Sequence, residues 1–314
     1  MNLIYFKKEY PNRLFFLVLI AVVTALHFFA FLINYMDFHY SQNDILLEKQ
    51  MEKIGSSQAT IKTIIVGDSS AGNAIDAEFF GELSGSETLN LSVTATYGII
   101  SSLNIAKQAR LQHPEIKNVI IVQALNIWDR PFSREGFYKT ESNINTDDIG
   151  SDFFSTYKWI DRIEYKLGYR WLRRFTKYSL GTRPETVISN DYIKQDNETY
   201  RNGKLREPEE GLPVKNIKPR KKDVFLIFDD YCAEMELNCV FIHGPIHENI
   251  YINTDEEYFE QIFNVIDSSK TIYSSHTVFS IPNENMGDSQ SHIDITHKPE
   301  MTQRYYQEIR EYIE

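Results

Sequence analysis

Cysteine is nearly absent from this 314-residue chain: Cys232 and Cys239 are the only two. Two thiols cannot build a Cys-rich zinc site. Their separation leaves two readings open: one disulfide in an oxidising compartment, or two buried free thiols. Excess positive charge is also missing. Lys and Arg number 33 against 44 Asp and Glu, a net charge of -11. That argues against nucleic acid as a partner, because phosphate binding needs a basic surface. No internal repeat is visible. What remains is ordinary globular composition, 42% hydrophobic and 25% charged, in a chain long enough for a core and one or two domains. The 19 Tyr and 20 Phe suit a folded domain and carbohydrate stacking alike.

One long apolar run stands out. Leu14 to Ile33 is interrupted only by Thr24 and His27, and a run of about 20 residues can cross a bilayer core. Lys7, Lys8 and Arg13 precede it and Asp37 follows. The positive-inside rule then puts the N-terminus in the cytoplasm and the rest of the chain outside. A cleaved signal peptide would have a shorter apolar core and small residues at a cleavage site. Here the run ends Leu32-Ile33-Asn34-Tyr35-Met36 with no Ala-x-Ala, so an uncleaved anchor is expected. The expected organisation is a tail and anchor over 1–36, a charged, partly helical stalk over 37–60, and one domain over 61–314.

Within that domain, strand-like and helix-like segments alternate. Apolar runs at 63–66, 89–93, 117–123, 239–243 and 277–281 predict five strands. Between them, three- and four-residue apolar spacing predicts helices over 71–83, 99–111, 222–235, 255–266 and 301–313. Continuous apolar runs alternating with helices predict an α/β fold, a parallel sheet between two helix layers. An insertion over 129–221 breaks the rhythm. It contains an amphipathic segment (Ile160, Ile163, Leu167, Trp171, Phe175) carrying a stripe of Lys and Arg from Lys158 to Lys177. That stripe reads as a solvated face, or as a contact for anionic headgroups or an acidic glycan.

The chemistry concentrates at two ends of the domain. The first strand runs into Gly67-Asp68-Ser69-Ser70, where a strand stops and a helix can start, so a serine hydroxyl can face the crevice at the carboxyl edge. Ser69 is the expected nucleophile and Ser70 its competitor. Asp68 is expected to make turn hydrogen bonds. Just before the last helix comes Asp294-Ile295-Thr296-His297. An Asp three residues ahead of a His can orient the imidazole, whose free nitrogen takes a proton from serine. His292 is the alternative base. Gly244-Pro245 separates His243 from His247 and prevents them from sharing a helical face, so no metal and no cofactor are expected.

Gly67-Asp68-Ser69 early in the domain and Asp294-x-x-His297 before its last helix resemble the SGNH, or GDSL-type, hydrolase superfamily. The resemblance implies a three-layer flavodoxin-like parallel sheet, with Ser69 as nucleophile, His297 as base and Asp294 as orienting acid. The middle motifs depart from the family. Ser92 stands where a Gly usually supplies an oxyanion N–H, and Gln123-Ala124-Leu125-Asn126 replaces Gly-x-Asn-Asp. Ser92 and Asn126 are the candidate oxyanion donors. Degraded middle blocks, an anchor and an insertion after the third strand resemble the branch that modifies cell-envelope polysaccharides. That likeness implies a single-pass protein of the bacterial inner membrane with its domain in the periplasm. It further implies acyl transfer, acetyl above all, to a glycan hydroxyl, beside a multipass membrane O-acyltransferase. An esterase using the same triad and a non-catalytic glycan-binding scaffold stay open.

Overall fold

The computed structural model describes residues 11–35, 42–57, 60–140, 210–214 and 220–313. These fall into two compact units: residues 11–35 belong to the first and all other described residues to the second. The described part of the first is one helix, α1 (Pro11–Tyr35). Its side chains are described over 14–29, and large apolar ones point outward: Phe15 is 64%, Ile20 60% and Phe28 61% exposed. Among the described residues no helix is long and apolar enough to cross a membrane. The expected anchor Leu14–Ile33 runs beyond the stretch whose side chains are described.

The second unit is α/β. Among its described residues the helices in chain order are α2 (Gln42–Ser56), α3 (Ser69–Ala74), α4 (Ala77–Ser84), α5 (Gly98–Gln112), α6 (Arg134–Thr140), α7 (Arg220–Glu234), α8 (Glu248–Asn253), α9 (Glu256–Ile266) and α10 (Lys298–Ile309). Its strands are β1 (Thr63–Gly67), β2 (Thr88–Asn90), β3 (Asn118–Gln123), β4 (Asn238–His243), β5 (Ile246–His247), β6 (Tyr273–Ser274) and β7 (Ser280–Ile281). The main sheet has five strands in the order β2-β1-β3-β4-β6, all parallel. This is the order of a flavodoxin-like doubly wound sheet.

The strands are buried on both faces because their side chains alternate between two helix layers. On one face Ile65, Ile120, Val122, Val240 and Ile242 join Phe80 of α4 and Met301, Tyr305 and Ile309 of α10 in one core. On the other, α5 packs against α2 and α7, and Trp128, Phe225 and Phe241 meet edge to face or tilted. At the carboxyl edge β1 comes hard against β3. A Cβ on Gly67 would lie 1.8 Å from the Val122 carbonyl oxygen, so only glycine fits.

Several expectations need correcting. The segment at 277–281 is not the fifth strand of the main sheet. That place belongs to β6, while Ser280–Ile281 pairs with Ile246–His247 in a separate two-stranded sheet. Its strand-like composition reflects burial of Phe279 and Ile281 in the core. The single helix expected over 71–83 is two, broken where Asp76 caps α4 by accepting from the N–H groups of Glu78 and Phe79. The expected stalk is no stalk: α2 docks on the domain, with Leu46, Leu47 and Ile54 buried. In the insertion expected over 129–221, α6 is described and lies with Gly136 against the Tyr97 backbone. The basic amphipathic segment at 158–177 lies outside the described residues.

Two covalent or ionic ties close the α7 side. Cys232 and Cys239 form a disulfide between the end of α7 and β4, with Cα atoms 6.2 Å apart, which decides between the two readings of those residues. Asp229 of α7 is buried and accepts hydrogen bonds from the Ser269 hydroxyl and from the N–H groups of Lys270, Thr271 and Ile272. Burial alone pushes its carboxyl up, but these donors together hold it below the usual value.

Asp229→Asn should therefore cost about 1–3 kcal/mol near neutral pH by denaturant unfolding. Because the folded value is lowered, the stabilisation is complete above the unfolded carboxyl range and fades as pH falls through it toward the folded value. The gap between wild type and variant should narrow in acid. Alkylation of unfolded, unreduced protein should leave Cys232 and Cys239 unmodified, and reduction should add two alkyl groups by mass.

Candidate active site

Parallel strands deliver their C-terminal ends to one edge of the sheet, and the loops leaving that edge hold the candidate residues. β1 ends at Gly67, and Asp68 caps α3, which begins with Ser69. The Asp68 carboxylate organises this turn. One oxygen accepts from the Ser70 N–H at 2.9 Å and the Ser70 hydroxyl at 2.5 Å. The other accepts from the Ala124 N–H, just past β3, at 3.0 Å. Asp68 is 2% exposed, so it is a structural carboxylate, as expected.

This decides between the two serines. Ser70 is fully buried, bonded to Asp68, and so close to Gly244 that a Cβ there would sit 2.1 Å from its Oγ. Ser69 is half-buried at the edge. Its hydroxyl donates to Nε2 of His292 at 2.8 Å. The Nδ1–H of His292 donates to the Asp288 carboxylate at 2.7 Å. Ser69, His292 and Asp288 thus form a continuous Ser–His–Asp relay, in which the acid sets the tautomer and the far nitrogen receives the serine proton.

The histidine and carboxylate that meet Ser69 are not the pair expected from the sequence. Asp294 caps the 3-10 turn Ile295–His297, its carboxylate accepting from the Thr296 N–H at 2.8 Å and the Thr296 hydroxyl at 2.6 Å. These bonds, the hydroxyl's first, hold its pKa below the usual value. His297 opens α10 with Nδ1 3.9 Å from Glu300. Neither is hydrogen-bonded to Ser69, whose hydroxyl pairs with His292. The relay residues instead share a small hairpin loop. Met286 and Ile293 bridge antiparallel, the Gly287 N–H donates to the His292 carbonyl at 2.7 Å, and the His247 N–H ties the loop at the Gln290 carbonyl. A helix-start signature was present in the sequence: Asp294 two residues before Thr296 and shortly before Pro299 is a typical N-cap arrangement. It marks Asp294 as already committed.

The two donors expected from the sequence, Ser92 and Asn126, are placed differently from each other. The Ser92 N–H donates to Asn90 Oδ1 at 3.1 Å and is spent. The Val93 N–H donates to the Gly67 carbonyl, which pins the loop beside the Ser69 turn. Next comes the 3-10 turn Ala95–Tyr97, capped by Thr94, whose hydroxyl takes the Thr96 N–H while its carbonyl takes that of Tyr97. The Ala95 N–H is the orphan donor of that turn, with no partner among the described residues. The Ser69 N–H is in the same position at the start of α3. Asn126 lies half-buried in the turn after β3. Its Oδ1 accepts from Arg130 Nη2 at 3.4 Å, which orients the amide and leaves Nδ2 without a partner among the described residues.

His243 and His247 have structural roles. His243 is fully buried; burial first, and then the charge of His276, push it down to about 3, so it stays neutral and its Nε2 accepts from Trp128 Nε1 at 3.0 Å. His247 accepts from the Asn249 N–H and donates to Asn283 Oδ1. Among the described residues no group of three or more His, Cys, Asp or Glu could hold a metal ion.

Neither a protein-family model, nor a curated protein, nor a solved structure matches this chain.

Gly244→Ala should destabilise the fold by about 1–3 kcal/mol, because the added methyl must drive Ser70 from Asp68. A denaturant midpoint unchanged from wild type would contradict this packing.

Proposed function

We propose that this protein is a membrane-anchored serine acyltransferase of SGNH type. In this reading it moves an acyl group, acetyl in the first instance, to a hydroxyl of a cell-envelope or exopolysaccharide. The observation that carries the reading is the Ser69–His292–Asp288 relay at the carboxyl edge of a flavodoxin-like parallel sheet. The resemblance at Gly67-Asp68-Ser69 supports the same chemistry, with base and acid moved to the hairpin ahead of Asp294-x-x-His297.

The reaction has two halves. Ser69 Oγ attacks the acyl carbonyl carbon as its proton passes to His292 Nε2; the bond to the donor oxygen breaks, and His292 returns the proton to that leaving group. The acyl-serine remains. A glycan hydroxyl then attacks it, giving its proton to His292, and Ser69 recovers the proton as the new ester departs. The oxyanion of each tetrahedral intermediate would be met by the Ser69 N–H, the Ala95 N–H and Asn126 Nδ2.

The setting is argued from the chain. The run Leu14–Ile33, with Lys7, Lys8 and Arg13 ahead of it, supports a single-pass anchor in a bacterial inner membrane, N-terminus inside. The Cys232–Cys239 disulfide supports a domain outside the cytoplasm, where disulfides persist. A multipass O-acyltransferase is the partner this arrangement suits as acyl donor, a glycan is the acceptor, and nucleic acid has no place.

A fluorophosphonate probe should label the wild-type protein and fail on Ser69→Ala. His292→Ala should slow hydrolysis of an acetyl ester on the order of 10³-fold or more, whereas His297→Ala should leave it unchanged. Unlabelled wild type would leave a glycan-binding scaffold in place of an enzyme. Acetyl release that no added glycan diverts into acetylated product would make it an esterase.

A further inference from the structure

The helix α2, expected as a stalk, buries two polar side chains where apolar ones would pack more simply. Gln50 is fully buried and Lys53 is 2% exposed. Lysine is almost never that buried unless its charge is engaged. Three positions apart, the two lie on one face of the helix. Their targets lie together as well. Lys53 Nζ donates to the Asn90 carbonyl at 2.9 Å, and Gln50 Nε2 donates to the Ser92 carbonyl at 2.6 Å.

These two carbonyls belong to the open edge of the sheet. β2 is the edge strand. The Leu91 N–H turns inward to the Ile65 carbonyl of β1, so the backbone groups of Asn90 and Ser92 turn outward, away from the sheet. Asn90 is held from its other end too, its Nδ2 donating to the Ile75 carbonyl at 3.0 Å. Immediately beyond Ser92, Val93 binds Gly67 and the chain enters the turn that carries the Ala95 N–H. The hold on the Ser92 and Asn90 carbonyls is thus three and five residues from a donor that the acyl-transfer reading uses.

We propose that Lys53 and Gln50 are positioning residues of the acyl-transfer site. From α2, which follows the apolar N-terminal helix after six residues (36–41), they clamp the outer edge of the 90–92 segment and so set where the Ala95 N–H stands. The inference rests on the acyltransferase reading for its chemical consequence, but the clamp itself is a matter of backbone order. A domain cut after α2 would keep Ser69, His292 and Asp288 and lose the clamp.

The test uses the full chain. Lys53→Met keeps the length and apolar stem of the side chain and removes the donor. Lys49→Met, on the same helix at the surface pair with Glu52, is the control. Amide hydrogen exchange over 91–96 should be at least about tenfold faster in Lys53→Met than in the control. Hydrolysis of p-nitrophenyl acetate should show kcat reduced about 10- to 100-fold with KM little changed. Gln50→Leu carries the same test should Lys53→Met not fold. Exchange that quickens along 42–56 but not at 91–96 would overturn the clamp and leave only helix packing. Faster exchange at 91–96 with kcat undiminished in an active protein would overturn the positioning role. Faster exchange at 91–96 in a protein whose wild type hydrolyses nothing would instead sink the acyltransferase reading and leave the clamp standing.

Discussion

The Asp68 carboxylate is the interaction on which the rest of the site depends. A buried carboxylate is tolerated only if its lone pairs are filled, and here three hydrogen bonds fill them, from the Ser70 N–H, the Ser70 hydroxyl and the Ala124 N–H. The first two shape the turn that presents Ser69. The third ties that turn to the end of β3, where Asn126 sits. The tie works because β1 and β3 approach so closely that Gly67 has no room for a Cβ. Packing thus brings the Ser69 turn and the Asn126 turn together, and one carboxylate ties them to each other.

Around that fixed point, each further part of the site arrives from a different layer. The His292 loop belongs to the α10 side: its closing residues Met286 and Ile293 pack in the same core as Met301, Tyr305 and Ile309. The Ala95 turn is reached from the opposite side, through β2 and the buried donors of α2. The sheet is the common support, since parallel strands put all these loops on one edge. Ser69 is therefore half-buried at the rim, while Asp68, Gln50 and Lys53 behind it are buried. Even Tyr258, from α9, reaches in to hold the Asn126 turn, donating to the Leu125 carbonyl at 3.0 Å.

The alternation of apolar strands and helices was readable from residue order, because burial on both faces leaves near-continuous Ile and Val runs at β1, β3 and β4. Short edge elements were not. β6 is the two residues Tyr273–Ser274, too few to leave a pattern, while the more strand-like Thr277–Ile281 is buried for a different reason. The charged composition of 42–56 hid a docked helix, since Gln50 and Lys53 read as solvent-facing until the carbonyls they meet are known.

The residues alone determined the α/β class, the Ser69 turn and the apolar N-terminal run, each of which is local: a period, a spacing or a length. Tertiary structure decided which histidine meets Ser69. Asp294 and His297 had the better spacing, but spacing along a chain does not say which side chain a helix cap will claim. Once Asp294 is committed to Thr296, it is unavailable as the acid, and the hairpin closed by Met286 and Ile293 brings His292 to Ser69 across 223 positions of chain. That contact depends on the core beneath the hairpin, and the core forms only when strands and helices distant in sequence are packed together.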